Sequence, residues 1–179
     1  AVLVEACAMA AGGAPAGDER KLMPASRHGT CLDQDGFGVL ILGQPGAGKS
    51  QLALRLIEGG FQPPFRLVAD DRFLALRQEE GLTVRAPGAL AGLLEVRGLG
   101  IVRLDFAPRS RAGLIVRLAA RDEIERLPEF PHHHTDIEGV RLPGIDLCAE
   151  DPAAAHKIQV AVRLLRGQLS LATGAPDAG

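Results

Sequence analysis

Residues Gly43, Gln44, Pro45, Gly46, Ala47, Gly48, Lys49 and Ser50 follow the pattern Gly-x-x-x-x-Gly-Lys-Ser, a spacing suited to gripping a chain of phosphates. Glycines let the backbone curl until successive N–H groups point inward, and a helix that follows adds the positive end of its dipole. Lys49 then reaches the terminal phosphates, and Ser50 offers its hydroxyl to Mg²⁺. The apolar run Val39-Leu40-Ile41-Leu42 comes directly before this stretch, and the helix-like Gln51-Leu52-Ala53-Leu54-Arg55-Leu56-Ile57 directly after it. Strand, glycine-rich turn and helix in that order are the context such a loop requires, so a nucleotide is the expected ligand.

Phosphates that carry a metal also call for carboxylates. Asp70 and Asp71 close the apolar segment Phe65-Arg66-Leu67-Val68-Ala69. Neighbours on an extended segment face opposite sides, so one acid can reach the metal while the other acts as general base toward a hydroxyl acceptor. Glu95 precedes the glycines at 98 and 100 and reads equally as a metal ligand or as a charged strand edge. His132-His133-His134 cannot all face one ion and has no Cys or acid at ligand spacing, so a solvated loop is expected there. Arg97, Arg103, Arg117 and Arg121 read as polar strand faces, some of which could meet an acidic edge of a partner.

The composition narrows the class. A chain of 179 residues is one domain by the usual prior, long enough for a proper core. A formal charge of −2 with 23% charged residues supplies no basic field, so no nucleic-acid partner is expected. Aromatics are 3%, without Trp or Tyr, which leaves few stacking surfaces. Cys7, Cys31 and Cys148 are odd in number and scattered, as in a reducing cytoplasm. No apolar stretch is long enough to span a bilayer, so a cytoplasmic chain with no membrane partner is expected.

The elements that must position these residues can be read along the chain. Arg27 to Leu32 and Phe37 to Leu42 read as strands around the turn Asp33-Gln34-Asp35-Gly36. The helix after the loop closes at Gly59-Gly60. Phe61-Gln62-Pro63-Pro64 reads as a loop variant without consequence before the strand 65–69. Phe73 to Arg77 and Leu82 to Ala86 suggest a hairpin, Ala89 to Leu94 leads into Glu95-Val96-Arg97-Gly98-Leu99-Gly100, Ile101 to Leu104 continues extended, and Gly113 to Leu118 is a strand. Val140 to Leu147 is a weaker strand interrupted by Pro143, and Ala153 to Leu169 has apolar positions at helical spacing. Strands outnumber helices, so an α/β fold with a mixed, β-rich sheet is expected rather than regular βαβ alternation. Residues 1–22 read as an extension of little structure, 23–169 as the catalytic domain, and 170–179 as a flexible tail.

His28-Gly29-Thr30, the loop 43–50, Leu67-Val68-Ala69-Asp70-Asp71-Arg72 and Leu94-Glu95-Val96-Arg97-Gly98-Leu99-Gly100-Ile101 occur in an order and spacing that resembles the catalytic domain of HPr kinase/phosphorylase. The Glu-Val-Arg-Gly-Leu-Gly segment is more specific than the phosphate loop. The resemblance covers roughly residues 24 to 167, as in a short form without the family's amino-terminal domain. It implies a P-loop kinase fold like that of PEP carboxykinase, and ATP and Mg²⁺ as cofactors. It further implies a serine of the phosphocarrier protein HPr as acceptor, and a homo-hexamer. Carried over by position, Lys49 would hold the β- and γ-phosphates, and Ser50 and Glu95 would be the Mg²⁺ positions. Asp71 would take the acceptor proton with Asp70 beside it. His28 matches the family histidine near the loop, and Arg126 the arginine that stabilises charge on the moving phosphoryl.

Many family members also remove the phosphate by phosphorolysis. Where they carry a proline- and arginine-rich loop for this, the present chain reads Leu147-Cys148-Ala149-Glu150-Asp151-Pro152-Ala153. Acids there would repel inorganic phosphate or a phosphoserine, so the reverse reaction is in doubt while the kinase half keeps its motifs. Two rival classes remain. A P-loop kinase of a small metabolite calls for a basic lid and more helices than this chain offers. A non-catalytic nucleotide sensor would bind ATP and dock to a regulatory partner without transfer.

Overall fold

Asp35 (φ 53°) and Gly36 (φ 78°) turn the chain between two long strands. Positive φ at both positions gives a two-residue hairpin whose twist suits the strands it joins, and Asp-Gly tolerates it. In the computed structural model, which describes residues 24–172, this turn links β2 (Thr30–Gln34) to β3 (Phe37–Leu42). Asp33 and Gln34, expected in the turn, extend β2 instead and are buried with their polar groups satisfied. Asp33 accepts hydrogen bonds from the Ser110 hydroxyl and the Gly36 N–H, and Gln34 Nε2 donates to the Pro63 carbonyl and Gln159 Oε1, both at 2.7 Å.

Around this hairpin lie β1 (Ala25–His28), β4 (Arg66–Ala69), β5 (Arg72–Gln78), β6 (Gly81–Arg85), β9 (Ser110–Leu118), β10 (His133–Ile137) and β11 (Val140–Leu147). They form a nine-stranded mixed sheet in the order β1-β5-β6-β9-β3-β2-β4, with β11 also on β9 and β10 outside it. β3, β9 and β11 run parallel and the other pairs are antiparallel. β7 (Leu93–Val96) and β8 (Gly100–Arg103) make a separate hairpin. Among the described residues the α-helices are α1 (Lys49–Glu58) and α2 (Ala154–Leu165). The expected mixed, β-rich architecture with few helices is what the chain adopts.

Strand alternation splits the core in two. Val39, Ile41, Leu114 and Val116 face α1 and α2, burying Leu52, Leu56, Ile158 and Val162. Leu40 and Ile115 face the other way, onto Phe73, Val84 and Ile137. β2 touches β5 and β4 touches β6 although neither pair shares a ladder, so the outer strands curl over the back of the sheet.

Three further details depart from expectation. Gly167 (φ 69°) closes α2 four residues early, its N–H bonding the Leu164 carbonyl at 3.0 Å and that of Gln168 the Arg163 carbonyl at 2.8 Å. Pro143 does not interrupt β11. The ladder to β9 begins only at Gly144, so on that side no partner asks for the missing N–H. The segment 61–64 has structural consequence: Phe61 meets Phe65 edge-on at 5.8 Å and the His156 ring at 5.2 Å, while Pro63 takes the Gln34 bond. The expected extension 1–22 and most of the expected tail lie outside the described residues. Among those described, no helix is long and apolar enough to cross a membrane.

Candidate active site

The parallel strands β3, β9 and β11 end on one edge of the sheet, and the glycine-rich loop leaves β3 there. Gly46 (φ 79°) and Gly48 (φ 89°) take left-handed conformations that other residues resist. A Cβ on Gly48 would also come within 2.9 Å of the Ala149 Cβ. Lys49 opens α1, and its Nζ donates to the carbonyls of Gly43 at 3.0 Å and Gln44 at 2.9 Å. The ammonium thus lies folded over the cradle that an incoming phosphate would enter.

Asp70 and Asp71 occupy opposite environments. Asp70 is buried, and its carboxylate accepts from the Thr30 hydroxyl at 2.7 Å, the Ser50 hydroxyl at 2.9 and 3.0 Å, and the Glu95 N–H at 3.3 Å. Serine and aspartate joined at the mouth of a phosphate loop are the pair that holds Mg²⁺ in P-loop enzymes, so the residues present fit a nucleotide with its metal. Asp71 is not on an extended segment. Its φ is 62°, and the Arg72 N–H bonds the Asp70 carbonyl at 2.7 Å, a γ-turn strained at its centre. The turn throws the Asp71 side chain into solvent, 74% exposed, with His28 Nδ1 at 3.7 Å. The Gly29 N–H to the Asp71 carbonyl, 3.1 Å, anchors it from behind.

The remaining expected residues gather less tightly. Glu95 sends its backbone N–H to Asp70, while its carboxylate is exposed on β7. Arg126 sits exposed in the connection between β9 and β10 and makes no described polar contact with the loop. The segment 148–153 lies against α1, where Arg55 donates to the carbonyls of Ala149 and Asp151, and Ala149 meets the end of the phosphate loop at Gly48. Lys157 and the Ala153 N–H engage the Asp151 carboxylate and hold its pKa below the usual range, so of the two acids there, Glu150 is the one left unpaired.

His132-His133-His134 is not a solvated loop. His133 and His134 belong to β10, and the neutral His132 Nδ1 accepts the Asp146 N–H at 2.9 Å. Burial holds His132 below the ordinary histidine pKa. Arg117 of β9 grips Asp146 with both ends of its guanidinium, 2.7 and 2.9 Å. Burial alone would raise the Asp146 pKa, but Arg117 outweighs it and the carboxyl lies below its usual value. Sequence reasoning assigned Arg117 to a polar face. Its partner lies 29 residues away across a parallel ladder, and no local signal marks it.

The family model described as HPr Serine kinase C-terminal domain matches residues 20–173. The chain belongs to this family. It is 36% identical over 139 residues to HPr kinase/phosphorylase of Geobacillus thermodenitrificans, covering 72% of this chain and 42% of that protein. It is 45% identical over 121 residues to HPr kinase/phosphorylase of Bordetella pertussis, covering 61% and 38%. The chain therefore spans about two fifths of the length of these relatives. The solved structure titled Hpr(Ser) kinase/phosphatase from Coxiella burnetii shares the fold, with a TM-score of 0.69 at 24% identity over 80% of this chain and 92% of that one.

Proposed function

We propose that this chain is the catalytic part of an ATP-dependent protein serine kinase whose acceptor is an HPr-type phosphocarrier. The observation that carries this reading is the division of labour between two adjacent acids, Asp70 bonded to the loop serine and Asp71 presented to solvent beside His28. A nucleotide sensor has no use for the second. Membership of a family named for HPr serine kinases supports the choice of acceptor.

In this reading the backbone of residues 43–48 and Lys49 bind the phosphates, with Lys49 exchanging its two carbonyl partners for phosphate oxygens. Ser50 and Asp70 would hold Mg²⁺, with Glu95 as the further acid that the family resemblance assigns. The ion would supply charge neutralisation on the phosphates. Asp71 takes the proton of the acceptor hydroxyl as its oxygen attacks the γ-phosphorus; the bond from phosphorus to the ADP oxygen breaks, and its electron pair leaves with ADP. His28, 3.7 Å from that carboxylate, is the histidine that the family resemblance places beside it, and Arg126 is the arginine assigned to the charge on the moving group.

Incubation with labelled ATP, Mg²⁺ and a purified HPr-type carrier tests this directly. Label on a carrier serine, lost in Lys49→Ala, is the expected result. ATP binding with no transfer would instead establish the sensor.

A further inference from the structure

Across the sheet edge where the phosphate loop begins, the register sets five residues in one row: Asp146 opposite Arg117, Arg117 opposite Leu42, Leu42 beside Gly29, and Gly29 bonded to Asp71. Neighbouring strands lie about 4.8 Å apart, so the row is roughly 14 Å from Arg117 to Asp71. Strand alternation puts Arg117, two residues after Ile115, and Leu42, two after Leu40, on the face turned away from α1. Ser50 and Asp70 serve the nucleotide on the α1 side. An acceptor that meets Asp71 from this face passes the half-buried Leu42, with the Arg117 side chain, 60% exposed, as the opposite wall.

That wall is braced from behind. Asp146 holds the Nε and Nη2 ends of Arg117, which leaves Nη1 outside the pair. His132 fixes the Asp146 backbone. His133 Nε2 lies 3.3 Å from Asp146 Oδ1, yet it is buried and poorly aligned, without a hydrogen-bond partner. A bidentate guanidinium held in this manner is pre-organised for planar oxygen acceptors.

We propose that Arg117 is an acceptor-binding residue, donating to a carbonyl or carboxylate oxygen of the carrier segment that flanks the phosphorylated serine, with Asp146 as its positioning residue. This rests on the kinase reading above.

The test is transfer kinetics from ATP with Mg²⁺ to a purified HPr-type carrier, for wild type, Arg117→Ala, Arg117→Lys and Asp146→Asn. Loss of a hydrogen bond from a charged donor raises the carrier KM about tenfold in Arg117→Ala, with the KM for ATP unchanged. Arg117→Lys recovers part of the loss, and Asp146→Asn, which loosens the arginine without removing it, gives a smaller rise. A purely structural ion pair would make Arg117→Ala and Asp146→Asn alike and Arg117→Lys no better. That pattern, or an unchanged carrier KM, overturns the assignment. If the wild type moves no phosphate, the kinase reading falls separately. Calorimetric binding of the carrier to the ATP-loaded proteins then decides Arg117 alone, and equal affinity for wild type and Arg117→Ala rejects it.

Discussion

Asp70 and Asp71 are joined by one peptide bond and share almost nothing else. Asp70 takes hydrogen bonds from a strand hydroxyl, a helix hydroxyl and a hairpin N–H. Asp71 hangs from a strained turn in water with one histidine at a distance. The first is a fixed acceptor, whose lone pairs are spoken for. The second has lone pairs available for a proton. Different environments for adjacent carboxyl groups are how a single fold assigns different roles to identical side chains.

The largest effect should come from cutting the two roles apart. Asp71→Asn is expected to lower kcat for transfer roughly 10²–10⁴-fold, the usual weight of a general base, while nucleotide affinity measured by calorimetry stays as in wild type. Asp70→Asn should instead weaken binding of the Mg²⁺ nucleotide. Should Asp71→Asn lose nucleotide affinity as well, the separation drawn here is wrong.

Stability offers a second contrast. Thr30→Val removes one donor from a buried carboxylate and should cost about 1–3 kcal/mol in urea unfolding. His28→Ala, at an exposed acid, should lie within about 0.5 kcal/mol of wild type. Gly48→Ala belongs between them in interest: a left-handed φ and a 2.9 Å approach to Ala149 both oppose it. Adding Ala149→Gly should relieve the contact and leave the backbone strain, so a partial recovery of melting temperature is expected, and full recovery would mean that the φ costs nothing.

These differences set the limit on what the chain shows before it is folded. The loop 43–50 is legible because its spacing, its preceding apolar run and its following helix are all local. The two acids are legible as a pair, but which one is locked depends on Thr30, Ser50 and Glu95, brought in from three separate segments. The end of α2 was readable, since a glycine at 167 after Arg166 is a helix stop. Pro143 was misleading, because whether a proline breaks a strand depends on where the neighbouring ladder starts. The Arg117–Asp146 pair, made by β9 and β11, has no signature in either strand alone.

The smallest expected effect concerns the histidines behind that pair. His132 accepts a backbone N–H through an unprotonated nitrogen, and burial depresses its pKa below the ordinary value of about 6.5. In the unfolded chain the same ring takes up a proton near that ordinary value. The unfolded state therefore binds more protons as pH falls below about 6.5, and stability declines in that direction. Asp146, also depressed, adds a second decline only below about 4, where its unfolded carboxyl protonates first. The urea midpoint, followed from pH 7.5 to 3.5 in wild type and in His132→Gln, should show a shoulder below about pH 6.5 that the substitution removes, with the fall near pH 4 retained. Asp146→Asn should soften that lower fall. Superimposable wild-type and His132→Gln curves would mean that His132 keeps its ordinary affinity for protons despite the bond it accepts.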